Sequence, residues 1–369
     1  MASIKLRGDT SGEITIQAPA VAGTTTLNLP ATSSTLATTA QTEAVYNSLG
    51  VRNLIINGDM RIAQRGTSAT TGNEYLIDRW KQVRVLSSAT VEMSQSTDVP
   101  TAQGFYNSIK LNVTSAGALS AGNYHRIDQR IEGQNLQHIK WGTASPEKLT
   151  LSFWVKSNYT GGFVATLNPA NGATNSISFT VNSVDTWEKK TLTFTDTTST
   201  APIPNDNNSG LQLYFYNAVG SSTFTETLNN YINITGVQLE VGDTATPFEH
   251  RPYDMELARC KRYYERITAP NSYTRFAVGQ CVASTQGKTL LHFTEKRAVP
   301  SIAFTTASLY MVGANTGGGL LCTAITSEQP SYKTVGIVAN VSSGLSAGNA
   351  TYVAANNTTS AYIEISSEL

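Results

Sequence analysis

Charge is scarce in this chain of 369 residues: only 14% are Asp, Glu, Lys or Arg, and 26 basic residues balance 26 acidic ones. Without a basic field there is no long-range pull toward nucleic acid or an anionic membrane surface, so neither is expected as a partner. Long apolar runs are missing too, and no stretch approaches the ~20 residues that a membrane-spanning helix needs. The N-terminal "MASIKLRGDTSGEI" lacks the basic-then-apolar order of a secretion signal. Cysteine is limited to Cys260, Cys281 and Cys322, an odd number without metal-like or redox spacing. These read as small buried hydrophobes in a chain made in a reducing cytosol. No nucleophile-elbow, zinc-binding or phosphate-loop pattern occurs, the four histidines are scattered, and the long repeats of a parallel β-helix are absent. Non-covalent binding is expected here, without catalysis.

What the chain has in excess is Thr, Ser, Asn, Gly and Tyr, which favour sheet over helix. The fold class expected is all-β, with brief helical punctuation. Residues 1–39 form an N-terminal arm in which Ile4 and Leu6, Ile14 and Ile16, and Leu27 and Leu29 make three short alternating units, each followed by turn residues. Strands carrying two apolar residues each cannot build a core, because even a hairpin is marginal in water. The arm must bury them against sister chains or a docking surface, the alternative being a disordered tail. Thr38 with Gln41 suggests a capping box and Gly50 a C-terminal cap, giving a short linking helix within residues 40–52.

From 53 to 252, alternating runs between Gly, Asn and Pro turns point to a two-sheet sandwich. In "KLTLSFWVKS", Leu149, Leu151, Phe153 and Val155 share one face and Trp154 takes the other. In "LQLYFYN", Leu211, Leu213 and Phe215 turn inward, sending Gln212, Tyr214 and Tyr216 outward. The strand "YINITGVQLEV" changes phase between Ile234 and Val237, which a β-bulge at Thr235–Gly236 would repair. Outward aromatics beside amides suit a sugar, whose C–H face lies on a ring while its hydroxyls find polar partners. The candidate carbohydrate-binding residues are Trp154, Gln212, Tyr214, Tyr216 and Asn217. A Tyr/Trp face equally describes a subunit interface.

The segment 253–267 reads as a junction helix. Asp254 is its candidate N-cap, and Glu256 stands one turn before Arg259. Leu257, Cys260, Tyr264 and Ile267 recur in an a/d rhythm, giving a stripe that either lies on an oligomer axis or docks on its own sandwich. Residues 268–369 resume alternation as a smaller C-terminal β unit. Its closing "YIEISSEL" places Ile363 and Ile365 on one face, and its long Ser/Asn/Thr loops suit a recognition tip.

Three resemblances follow from quoted residues. "NLIINGDM", from Asn53 to Met60, is similar to the opening strand of jelly-roll carbohydrate-binding modules. In that family this strand and the last one hold a structural calcium. Here Met60 and Arg61 stand where the family has Phe-Glu, so the candidate ligands are Asp59, Glu240 and Asp243, the alternative being a solvated surface turn. Taken with "YLIDRW", "LSFWVKS" and "VQLEVGDTATPFEHRPYDMELARCKRYYE", the same opening resembles bacteriophage tail-fibre and receptor-binding proteins. The Thr/Gly-rich N-terminus separately resembles virion-attachment arms. The resemblance implies a homotrimeric virion protein, assembled in the host cytoplasm. It would be fixed to the phage tail or another virion protein through residues 1–39 and bind host surface polysaccharide. A head fibre or other decoration protein with no receptor is the alternative.

Overall fold

A computed structural model describes residues 3–7, 13–17 and 52–369, apart from 69, 86–87, 221 and 314–317. The chain divides into two compact units, 1–45 and 46–369. In the first unit, β1 (Ser3–Arg7) and β2 (Glu13–Gln17) pair antiparallel, with Ile4 opposite Ile16 and Leu6 opposite Ile14. The third alternating unit, at Leu27 and Leu29, and the linking helix expected in 40–52 lie outside the described residues, except for Arg52.

The second unit opens with ten strands: β3 (Lys81–Val85), β4 (Thr90–Ser96), β5 (Ser108–Ser115), β6 (Tyr124–Glu132), β7 (Leu149–Ser157), β8 (Gly162–Pro169), β9 (Asn175–Thr180), β10 (Glu188–Phe194), β11 (Ser209–Val219) and β12 (Tyr231–Val241). They form two five-stranded antiparallel sheets, ordered β10-β7-β12-β5-β4 and β3-β6-β11-β8-β9. The alternation read from the sequence holds: Leu149, Leu151, Phe153, Val155, Leu211, Leu213 and Phe215 are all buried between the sheets. Phe153 links the layers, its ring centroid 4.9 Å from that of Phe215 and 5.0 Å from that of Phe179. The expected bulge is present, since the register of β12 on β7 shifts between Thr235 and Gln238. Gly236 takes φ +61° there, and a Cβ on it would meet the Phe105 ring at 2.6 Å. Glycine thus serves both the backbone turn and the close approach of a ring.

Beyond the sandwich lie the helix α1 (Tyr253–Lys261) and ten further strands: β13 (Tyr264–Thr268), β14 (Arg275–Ala283), β15 (Gln286–His292), β16 (Ser301–Phe304), β17 (Tyr310–Gly313), β18 (Gly319–Leu321), β19 (Ala324–Glu328), β20 (Thr334–Asn340), β21 (Ala350–Ala355) and β22 (Tyr362–Ser366). A three-stranded sheet, β13-β22-β16, accompanies a seven-stranded one, β18-β17-β21-β14-β15-β20-β19. They enclose a second core that includes Tyr310, Val353, Ile363 and Ile365. Cys260, Cys281 and Cys322 are all free and buried.

The helix is shorter than its apolar rhythm suggests. It ends at Lys261, and Tyr264 and Ile267 fall on β13, opposite Ser366 and Ile363. Leu257, Cys260, Tyr264 and Ile267 therefore share no helical stripe. The β-forming "YYERIT" finds a partner strand in β22, and tertiary pairing overrides the helical period. Pro252, with no side-chain cap bond, occupies the N-cap expected of Asp254, which falls in the first turn.

The segments that carried the resemblance meet at one joint. The Asn53 side chain bonds the amides of Ile55 and Leu239 and the carbonyl of Val237. Asn57, at φ +58°, donates to the carbonyls of Ile62 and Asp78 and receives the indole N–H of Trp80 on its own carbonyl. Arg79 is buried, lies 3.5 Å from the Tyr263 ring centroid and pairs with Glu368. Arg251, also buried, donates to the carbonyls of Asn53 and Ile55 and pairs with Glu249 at 3.0 Å and Glu256 at 3.2 Å. Glu256 is thus held by Arg251, not by Arg259 one turn later. These motifs join sandwich, helix and C-terminal sheets.

Candidate functional site

Trp154 is placed by the alternation of β7: its neighbours Phe153 and Val155 fill the core, so its ring stands on the outer face of the first sheet. In register it faces Lys189 on β10 and Thr235 on β12. Two loops frame that face. The segment 97–107 is anchored by Asp98, which accepts from Lys156 at 2.8 Å and from the Trp187 indole at 3.0 Å. The exit from β12 folds back so that Glu249 N donates to Gln238 Oε1 at 2.8 Å.

Between them lies a pocket of about 520 Å³, lined by Trp154, Phe105, Phe248 and His250 with Gln103, Lys189, Arg52 and Glu249 among its polar groups. Phe105, Phe248 and His250 form a three-ring cluster with centroids 4.9–5.2 Å apart. Phe105 is buried against the glycine of the bulge, whereas His250 is exposed. Of the four tryptophans, three have their indole N–H satisfied within the chain: Trp80 by Asn57 O, Trp141 by Glu147 O and Trp187 by Asp98. The N–H of Trp154 has no acceptor among the described residues. The pocket thus offers a part-exposed ring edge, an unengaged donor, and both signs of charge at its rim. Among its described lining residues Glu249 is the one carboxylate, held by the Asn53 amide at 2.7 Å and by Arg251.

The five candidate sugar-binding residues are not brought together. Gln212, Tyr214 and Tyr216 stand on the outer face of the second sheet, across the sandwich from Trp154. Their face is closed by its own side chains. Arg126 lies 3.8 Å from the Tyr214 ring centroid, donates to Tyr216 Oη at 2.6 Å and pairs with Asp128 at 2.8 Å. Tyr214 Oη donates to Gln212 and accepts from Asn168 at 3.0 Å, leaving the residue 5% exposed. Asn217 sits at a register shift in β11 and turns inward, where its Oδ1 accepts from His125 Nδ1 at 2.5 Å. His125 is fully buried, and its Nε2 accepts from Gln82 at 2.7 Å. Burial pushes this imidazole down to about 4, although the Asn217 bond works the other way.

The proposed metal ligands also stand apart. Asp59 pairs with Arg61 at 3.0 Å, and the Glu240 carboxylate is taken by Thr246 and Gln238. Exposed Asp243 lies 3.5 Å from Lys148. Among the described residues no group of three or more His, Cys, Asp or Glu converges on a metal position.

Sequence reading missed Phe105, Phe248 and His250, because they come from loops whose convergence depends on the fold. The one legible hint was the Gly236 bulge, which the Phe105 ring fills.

No protein-family model matches the sequence, and no curated protein matches it. Among solved structures, the chain is similar to the enzymatically active domain of tailspike protein 4 of bacteriophage CBA120. That likeness has a TM-score of 0.31 and 19% identity, covering 52% of this chain and 21% of that one. It is also similar to the family 11 carbohydrate-binding module from Clostridium thermocellum, with a TM-score of 0.29 and 13% identity over 50% of this chain and 99% of the module. A xylan-binding domain from Paenibacillus barcinonensis gives 0.28 and 17% over 47% and 98%. The chain thus spans about a fifth of the tailspike structure and nearly all of the two smaller domains.

Proposed function

We propose that the chain is a bacteriophage fibre protein that binds host surface glycan without cleaving it, through the Trp154 pocket. The observation that carries this reading is the pairing of an accessible Trp154 ring, its indole N–H unengaged, with the Phe105–Phe248–His250 cluster in an open cleft. Aromatic walls with a few convergent polar groups are what a pyranose requires. Binding without turnover fits the single carboxylate among the described residues of the cleft, already held by Asn53 and Arg251, since glycoside hydrolysis uses two carboxyl groups flanking the bond.

The N-terminal arm, with its β1–β2 hairpin, would attach the protein to the phage tail or another part of the virion, and three copies would present their sites together. A single millimolar sugar site supplies only about −4 kcal/mol. Several sites on one particle can raise avidity roughly 10²–10⁴-fold when geometry permits simultaneous contact. Adsorption of the purified full chain to host cells, compared with Trp154→Ala, tests the reading. Loss of adsorption with unchanged melting supports it. Equal adsorption by both proteins removes the Trp154 site, and adsorption by neither leaves a structural virion component.

A further inference from the structure

A second cleft lies where α1 meets the end of β6. It encloses about 280 Å³ and shares no lining residue with the Trp154 pocket. Arg130 and Arg259 both line it, with His138 at its mouth and Leu54, Ile131 and Tyr263 forming apolar walls. The two arginines differ from the other cations of this joint. Arg79, Arg251 and Arg262 are paired with Glu368, with Glu249 and Glu256, and with Glu132 respectively. Neither Arg130 nor Arg259 has a carboxylate within ion-pair distance among the described residues. The Nε–H of Arg130 is buried and has no acceptor.

The surrounding carboxylates cannot turn to them. Glu132 is gripped by Arg262 through two bonds of 2.8 Å and by Tyr263 Oη at 2.5 Å. Burial pushes this carboxyl up, but those hydrogen bonds outweigh it and hold it below the ordinary carboxylate range. Glu256 is taken by Arg251 and the Asn57 amide. Arg130 and Arg259 thus border one cleft while Glu132 and Glu256 are committed to other partners. Burial and the nearby Arg251 both act against the charge of Arg259, which lowers its pKa. An oxyanion supplied from outside would relieve both costs and accept forked N–H donors.

We propose that this cleft binds an oxyanion, a carboxylate or phosphate, carried on a compact body that rests against Tyr263, Leu54 and Ile131. The test uses the full chain and three probes: inorganic phosphate, glucuronate and neutral glucose. Binding is followed by calorimetry and by the Nε–H resonances of Arg130 and Arg259, at ionic strength fixed with chloride. At least one anion is expected to bind and shift both resonances, while glucose leaves them in place. Phosphate acting alone identifies a phosphate ligand, glucuronate acting alone identifies a uronate, and either result supports the site.

Arg259→Gln and Arg130→Gln should each weaken the anion roughly tenfold or more, as loss of a charge-assisted hydrogen bond implies. Arg259→Gln should melt no lower than the parent, since it removes a cation crowded by Arg251. Trp154→Ala should leave anion binding unchanged, so the fate of this site is read independently of the glycan pocket. The proposal is overturned if neither anion shifts the arginine resonances, or if Arg259→Gln binds them as the parent does.

Discussion

Arg126 lies over Tyr214, 3.8 Å from its ring centroid, while the same guanidinium reaches Tyr216 and Asp128. A ring face covered by a guanidinium is closed to a sugar, so this tyrosine surface is a packed sheet face. Tyr214→Ala should lower stability by about 1–3 kcal/mol, from lost burial and cation–π contact. Glycan affinity should not change. Calorimetric melting and a glycan titration on the same variant check this; weakened binding with unchanged melting would return the site to the tyrosine face.

Arg251 gives the opposite kind of prediction, one of rigidity at the joint. Its guanidinium satisfies two carbonyls of the opening segment and two carboxylates, with little access to water. Removing one member of a buried pair leaves the other uncompensated, at a cost of about 3–5 kcal/mol. Arg251→Met should show a loss of that order in urea denaturation. A loss below about 1 kcal/mol would mean that the joint does not depend on this pairing.

His125 sets a pH dependence. It is neutral in the folded chain, where burial depresses its pKa from 6.5 to about 4. Between those values the unfolded chain takes up a proton that the folded chain refuses. Its contribution is therefore present above pH 6.5 and lost as pH falls toward 4, about 3 kcal/mol in all for a shift of this size. His125→Gln should lack this part of the acid loss. The stability of the parent minus that of the variant should fall between pH 7 and pH 4. A flat difference would show that His125 titrates in the folded chain as it does in the unfolded one.

Period-two alternation made much of the sandwich legible, because each strand has one face in the core. The inward set of β7, the inward set of β11 and the bulge at Gly236 all follow from it. Alternation says which side of a strand a residue takes, but not which sheet the strand joins. Trp154 and Tyr214 both read as outward, and only the strand order places them on opposite faces. The helical stripe from Leu257 to Ile267 misled for a related reason: a spacing of three and four describes a helix until a partner strand competes. Here β22 pairs with Tyr264–Thr268. The loop residues Phe105, Phe248 and His250 carry no periodic signal, and their meeting over Gly236 is a tertiary event.

The most direct measurement of the glycan reading uses the four tryptophans as reporters. On titrating the ¹⁵N-labelled full chain with oligosaccharides from the host surface, the indole N–H of Trp154 should shift in a saturable manner. Those of Trp80, Trp141 and Trp187, already bonded within the chain, should stay in place. A glycan that adsorbs the protein yet leaves the Trp154 resonance unmoved at saturation would contradict the account.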